Sequence, residues 1–219
     1  MPVPKHEPRI DDDALRAVDG LDPDTNDEIS DVVIDGGDFS GVDLERVELV
    51  RCRIVGARLT AARLAHAVFS DVEFVRCDLA GADFAEAALQ RVRFVDCRLR
   101  SVEAGQAKCK YAAFRDCAFD EANLRHTTLE SVAFASCGMA AADFGAAKLT
   151  DVTFDGTDLR GADVSQVRCV RVDLRGARLD GLKGAGALSG ATVSPEQLVV
   201  LAPALAVAVG LKVLPPDDA

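Results

Sequence analysis

Residues Val72 to Ser101, broken every five, read VEFVR CDLAG ADFAE AALQR VRFVD CRLRS. The third residue of each group is large and apolar: Phe74, Leu79, Phe84, Leu89, Phe94, Leu99. The first is small: Val72, Cys77, Ala82, Ala87, Val92, Cys97. Followed outward, this register runs from Ile34 to Leu179 without an insertion. It contains 30 centre positions, of which 25 are Leu, Ile or Phe, and all ten Phe of the chain are among them.

A period of five is neither the 3.6 of a helix nor the 2 of a hairpin strand. On an extended segment, residues two apart point to the same side. Each group therefore sends one small and one large side chain inward and then turns a corner. Phe74, Phe94, Phe114, Phe134 and Phe154 add a second period of 20 residues, as do Cys77, Cys97, Cys117 and Cys137. Four groups per 20 residues make a four-sided coil with like residues stacked at about 4.8 Å. The span predicts seven and a half coils, a rod about 36 Å long, with right-handed crossovers.

The motifs Ala82-Asp83-Phe84, Ala122-Asn123-Leu124, Ala142-Asp143-Phe144 and Ala162-Asp163-Val164 resemble the A-(D/N)-L-x-x motif of pentapeptide-repeat proteins. The resemblance covers about two thirds of the chain. It implies an all-β fold, a right-handed quadrilateral parallel β-helix. It also implies a non-enzymatic binding role, since some members protect DNA gyrase from quinolones or toxins by mimicking duplex DNA. Quinolone-protection members often carry projecting loops, and this chain has none between residues 34 and 179.

Composition narrows the function further. The chain has 219 residues, 49% apolar, which is too apolar for disorder. With 36 acidic and 25 basic residues its net charge is −11, which disfavours direct nucleic-acid binding. The start reads Met1-Pro2-Val3-Pro4 and runs into Asp11-Asp12-Asp13, unlike a signal peptide. The longest uncharged apolar run, Leu198 to Leu211, is 14 residues and too short for a bilayer. Seven Cys with no CxxC fit reduced thiols in the cytoplasm.

Three regions follow. Residues 1–30 read as an acidic cap with a short helix around Asp12–Val18, Leu15 and Val18 turned inward, and Leu21 and Ile29 completing the lid. Residues 31–181 are the β-helix. Residues 182–219 hold an irregular partial coil (Leu182, Leu188, Val193) and then a helix. Ser194-Pro195-Glu196-Gln197 supplies an N-cap, an N1 proline and a capping-box partner. Gly210 is its stop, and Pro203 should kink or split it near Leu201. This helix is apolar on nearly every side, so one face covers the coil end and the rest needs a partner. A homodimer is expected through Leu198, Leu201, Leu205 and Val209.

Catalytic and metal chemistry find little support. The Cys row is too linear for tetrahedral zinc and reads as core filling, as do Cys52, Cys109 and Cys169. His66 and His126 lie three coils apart, about 14 Å. Asp22–Glu28 starts like a calcium loop, but Asp27 and Val33 stand where Gly and an acid belong. Gly181–Gly186 reads as turn, not phosphate loop. No metal and no cofactor is expected.

Charge is distributed unevenly. Residues 1–30 hold 9 acids and 3 bases. The rod side centred on Leu44, Leu64, Phe84, Ala104, Leu124, Phe144 and Val164 carries Asp43, Glu45, Asp83, Glu86, Glu103, Asp143 and Asp163 against Arg46, Arg63 and Arg125. The next side, centred on Leu49 through Cys169, is net basic. The acidic side is the candidate partner-binding face, and the resemblance makes gyrase or another type II topoisomerase its candidate partner. The alternatives are a general protein-interaction scaffold, or an enzyme or metal protein built on the Cys row or acidic lead-in. The small centres Ala104 and Cys109 predict a local pinch or bend.

Overall fold

Each five-residue group forms a short extended side, because the inward pair has a core to fill and the backbone between has a ladder partner one coil away. The computed structural model describes residues 8–18 and 28–212. Leu21 and the calcium-like run as far as Asp27 lie outside the described residues.

The chain winds into a right-handed four-sided β-solenoid of about eight turns. Thirteen strands among the described residues join one parallel sheet. They are β1 (Arg16–Val18), β2 (Glu28–Ser30), β3 (Val32–Asp35), β4 (Glu48–Val50), β5 (Arg53–Val55), β6 (Val68–Val75), β7 (Ala88–Val95), β8 (Lys108–Arg115), β9 (Thr128–Ala135), β10 (Lys148–Asp155), β11 (Arg168–Val170), β12 (Val172–Asp173) and β13 (Ala191–Thr192). From β2 to β12 partners differ by 20 residues, as in Phe69↔Leu89 and Phe74↔Phe94. These strands make two sides, side 1 on the Phe74 row and side 4 on the Phe69 row. Side 2 and side 3 are held by single bridges, Asp78↔Arg98 and Asp83↔Glu103 being typical.

The long strands β6 to β10 turn a corner at Asp71, Arg91, Tyr111, Ser131 and Asp151, where φ lies between 52 and 58°. A non-glycine residue there costs about 1–2 kcal/mol. The same corner column satisfies its backbone in return: the N–H of Asp31 donates to Val50 O at 3.0 Å, and that of Arg51 to Ser70 O at 2.9 Å.

Inside, the rings of Phe74, Phe94, Phe114, Phe134 and Phe154 stack at centroid separations of 4.7, 5.0, 5.0 and 5.1 Å. Cys77, Cys97, Cys117 and Cys137 are buried beside them. The Cys97 thiol points at the carbonyls of Phe74 (3.5 Å) and Val95 (3.3 Å). Thr157, one rung beyond Cys137, makes the matching pair of bonds, to Phe134 and Asp155.

The N-terminal cap differs from expectation. Asp12–Ala14 form a turn, and Arg16–Val18 is a strand paired in parallel with Val32–Ile34. The first coil presents unpaired backbone groups, which a strand can bond and a helix cannot. Val18 and Ile29 do pack on the core.

At the other end Leu182 is buried, Leu188 and Val193 pack partly on the core, and β13 pairs with β12. Helix α1 (Pro195–Ala208) starts with the full capping box of Ser194 and Gln197. The Gln197 amide also donates to Leu174 O (2.6 Å) and Ala177 O (2.7 Å), so one side chain caps both helix and solenoid. Contrary to expectation, α1 runs unbroken through Pro203. The carbonyl that loses its partner there is Val199's, and Val199 is exposed to water. Gly210, at φ 79°, ends the helix.

The pinch expected at Ala104 and Cys109 takes another form. The ladder keeps its register across them, through Glu103↔Asn123 and Cys109↔Leu129. The missing side-chain volume leaves an apolar cavity of about 60 Å³, lined by Leu89, Ala104, Cys109, Phe114, Leu124 and Leu129 among others. Backbone bonds on flanking coils hold the walls apart. At about 24 cal/mol per Å³ the void costs about 1.4 kcal/mol. Ala104→Leu should raise the unfolding free energy by about 1 kcal/mol in urea titration; a loss of stability would show that the space cannot accept a side chain.

Candidate functional site

Side 3 places its charges one residue before each centre, in the column Asp43, Arg63, Asp83, Glu103, Asn123, Asp143, Asp163, Lys183. The residue type at this place has a local cause. Asp43, Asp83, Asp143 and Asp163 each accept the backbone N–H two residues on, at 3.1, 2.8, 2.7 and 2.8 Å. Asn123 does the same for Arg125. These Asx turns steer the chain out of the side. The D/N of the motif is thus a turn device that also brings negative charge, a role that sequence reasoning missed although the D/N alternation carried the signal.

Cancellation of charge distinguishes the sides. On side 2, Asp38 pairs with Arg58 (3.0 Å), Asp78 with Arg98 (3.5 Å) and Asp158 with Arg160 (2.6 Å). At the corner between sides 4 and 1, Asp31, Asp71 and Asp151 each meet an Arg one coil on: Arg51, Arg91 and Arg171. On side 3, Arg63 lies against Asp43 (3.0 Å) and Glu45 (3.4 Å), and Arg125 against Asp143 (3.0 Å). Arg46 contacts Glu45 at 3.0 Å, and Glu86 lies 3.8 Å from His66. Among the described residues no cation pairs with Asp83, Glu103 or Asp163; Glu103 accepts instead from Asn123 at 2.7 Å. The predicted acidic residues therefore do share one side, but only part of their charge is free. Hydrogen bonds from Ser165 hold the Asp163 carboxyl below its usual range.

The predicted dimerisation residues divide. Leu201 is 3% exposed and Leu205 packs partly on the core, so both belong to the cap. The helix covers the last coil through these two, Leu201 fully and Leu205 in part. Leu198, Val199, Val200, Val207, Val209 and Leu211 remain exposed.

Sequence reasoning also missed an N-terminal strap. The Arg9 N–H donates to Asp71 Oδ1 at 2.9 Å, and Asp12 pairs with Arg53. Arg53 and Arg93 hold Glu73 between them. Asp71 and Glu73 are 7% and 5% exposed. The sequence reads as an acidic cap without naming what it docks on, because the partners lie 41 and 62 residues away.

Among the described residues no three His, Cys, Asp or Glu converge on a point that could hold a metal ion. His66 and His126 occupy corners, both at φ 59°. Gly184 sits in the predicted turn at φ 74°, where a Cβ would lie 2.5 Å from the backbone N of Ser165. Among the described residues no helix is long and apolar enough to cross a membrane.

Two family models match the sequence, Pentapeptide repeats (8 copies) over residues 62–100 and Pentapeptide repeat region over residues 107–183, together more than half of the chain. The chain belongs to the pentapeptide-repeat family. No curated protein matches it. Among solved structures, this pentapeptide-repeat protein is similar to trypsin-treated QnrB1, a plasmid-mediated fluoroquinolone resistance protein, at 21% identity over 92% of this chain and 99% of that one, TM-score 0.45. It is also similar to HetL, involved in heterocyst differentiation regulation in Nostoc sp. strain PCC 7120, at 20% identity over 76% and 89%, TM-score 0.32.

The strap yields a pH prediction for this pentapeptide-repeat protein. Burial disfavours the Asp71 carboxylate, but Arg91 and the Arg9 N–H outweigh it and hold the group below its usual 3.8. A depressed folded-state value stabilises the fold above the unfolded value, and that stabilisation is lost as pH falls through the folded one. Urea midpoints should stay level from neutral pH to about 5 and drop below about 4. Asp71→Asn should cost about 1–3 kcal/mol at pH 7 and flatten part of the acid drop; an unchanged acid limb would show that Asp71 does not couple to folding.

Proposed function

We propose that this chain is a non-enzymatic binding protein whose side 3 occupies a basic, DNA-binding groove of a protein partner. The observation that carries the proposal is the charge of Asp83, Glu103 and Asp163 on side 3, which no guanidinium pairs with among the described residues, set against side 2 and the corner between sides 4 and 1, where acids meet arginines. Carboxylates repeating along a rigid rod present a field that a groove built for phosphates would attract. DNA gyrase or a related type II topoisomerase is the candidate partner, and drug or toxin tolerance the consequence. Seven cysteines with no disulfide among them suit a reducing, cytoplasmic setting. The protein acts as a dimer through Leu198, Val199, Val207 and Val209 of the helical segment, because an exposed apolar helix face of this extent needs a cover. A second reading, a general interaction scaffold, draws on the half-buried apolar strip Val55, Val75 and Val95 on side 1.

A supercoiling assay with and without a quinolone tests the topoisomerase reading. The wild-type protein should inhibit or protect gyrase. The variant Asp83→Asn, Glu103→Gln, Asp143→Asn, Asp163→Asn keeps every Asx turn and should lose about tenfold or more in potency. A wild-type protein inert at tens of micromolar removes gyrase and leaves the side 1 strip as the surface to test. Light scattering checks the dimer: Val199→Lys with Val207→Lys should halve the mass, and a monomeric wild type would end the proposal.

A further inference from the structure

The row Cys77, Cys97, Cys117, Cys137 has a geometry that core filling does not require. The four residues occupy the same inward place on four successive coils, and the Phe rings of those coils lie 4.7 to 5.0 Å apart. A thiolate–metal bond is about 2.3 Å, so two such bonds end to end span about 4.6 Å. That length matches one rung. Three or four sulfurs never converge, which rules out trigonal and tetrahedral coordination in the row. Two collinear sulfurs are what a soft, two-coordinate cation takes.

Charge balance agrees with this geometry, and the row itself is buried. Outside the row lies an open recess of about 350 Å³, lined by Cys77, Cys97, Asp78, Asp96, Asp116 and Arg98 among others. Its three carboxylates outnumber the guanidinium groups of Arg76 and Arg98, so the lining beside the row is net negative. The row itself is apolar, so only a neutral complex is tolerated there. A divalent cation replacing the protons of two thiols gives S–M–S with no net charge, and both protons leave to solvent. A monovalent cation does so with one thiolate and one retained thiol. The row ends cleanly, with Ala57 below and Thr157 above.

We propose that the cysteine row is a binding site for linear, two-coordinate soft metal cations of the mercury(II), silver(I) and copper(I) class, held between sulfurs of successive coils. Four sulfurs in line provide two independent pairs. Bridging adjacent coils staples the solenoid along its axis.

The test is titration of the reduced full-length protein with mercury(II), followed by sulfur-to-metal charge-transfer absorption, X-ray absorption and thermal melting. Two equivalents with two collinear sulfur neighbours and a raised melting temperature are expected. Cys97→Val with Cys117→Val should abolish the two-sulfur signal, since Cys77 and Cys137 then stand three coils apart. Cys77→Val with Cys137→Val should retain one equivalent. Val fills the same inward place at Val72 and Val92, so both variants should fold, and circular dichroism checks that they do. Three- or four-sulfur coordination, a lowered melting temperature or an unchanged signal in the first variant would overturn the proposal.

Discussion

The hydrogen bond from each backbone amide to the chain one coil away governs this molecule. It fixes the rise, and the rise fixes everything stacked on it. Phe rings meet at the separation of the strands that carry them, and Asp and Arg alternate at a spacing that lets each guanidinium reach the carboxylate below. Where the core lacks volume, at Ala104 and Cys109, the same bonds keep the walls apart and a void results. Both termini answer this constraint. The N-terminal end supplies strands to bond the first coil, and the C-terminal end supplies the Gln197 amide to two carbonyls of the last.

The fold was readable because side-chain size repeats at a fixed interval, and size alone decides what fits inside so thin a core. Side chains such as Phe74 and Cys77 announce their environment by recurrence. The ends were harder, since a cap occurs once and repeats nothing. Asp12–Val18 has the composition of a helix start, yet an open sheet edge outweighs local preference. Gln197 was legible as a capping-box residue, but its bonds to Leu174 and Ala177 depend on how the helix docks. The acidic side was legible as a list of charges. Which of those charges remain free depended on Arg63 and Arg125, whose reach spans coils.

The motif position of Asp43, Asp83, Asp143 and Asp163 also changes how acidity should be read in a rod of this kind. Their first task is to close a turn, and Asn123 performs it without charge. Negative charge at these places is therefore partly a by-product of building corners. Arginines cancel acidic charge on side 2 and at the corner between sides 4 and 1, and side 3 is left less balanced. The unequal sides are the part of the charge pattern that turn geometry does not explain.

The twenty-residue coil has a consequence for how such a chain can change length. Gain or loss of one whole coil leaves every later residue on its own side, so the rod can be lengthened or shortened without disturbing its faces. Gain or loss of five residues preserves the inward pattern equally well, yet turns all that follows by a quarter revolution. The core would not register the difference. The acidic column would break at that point and continue around the corner, and a partner gripping one side would find only half of it.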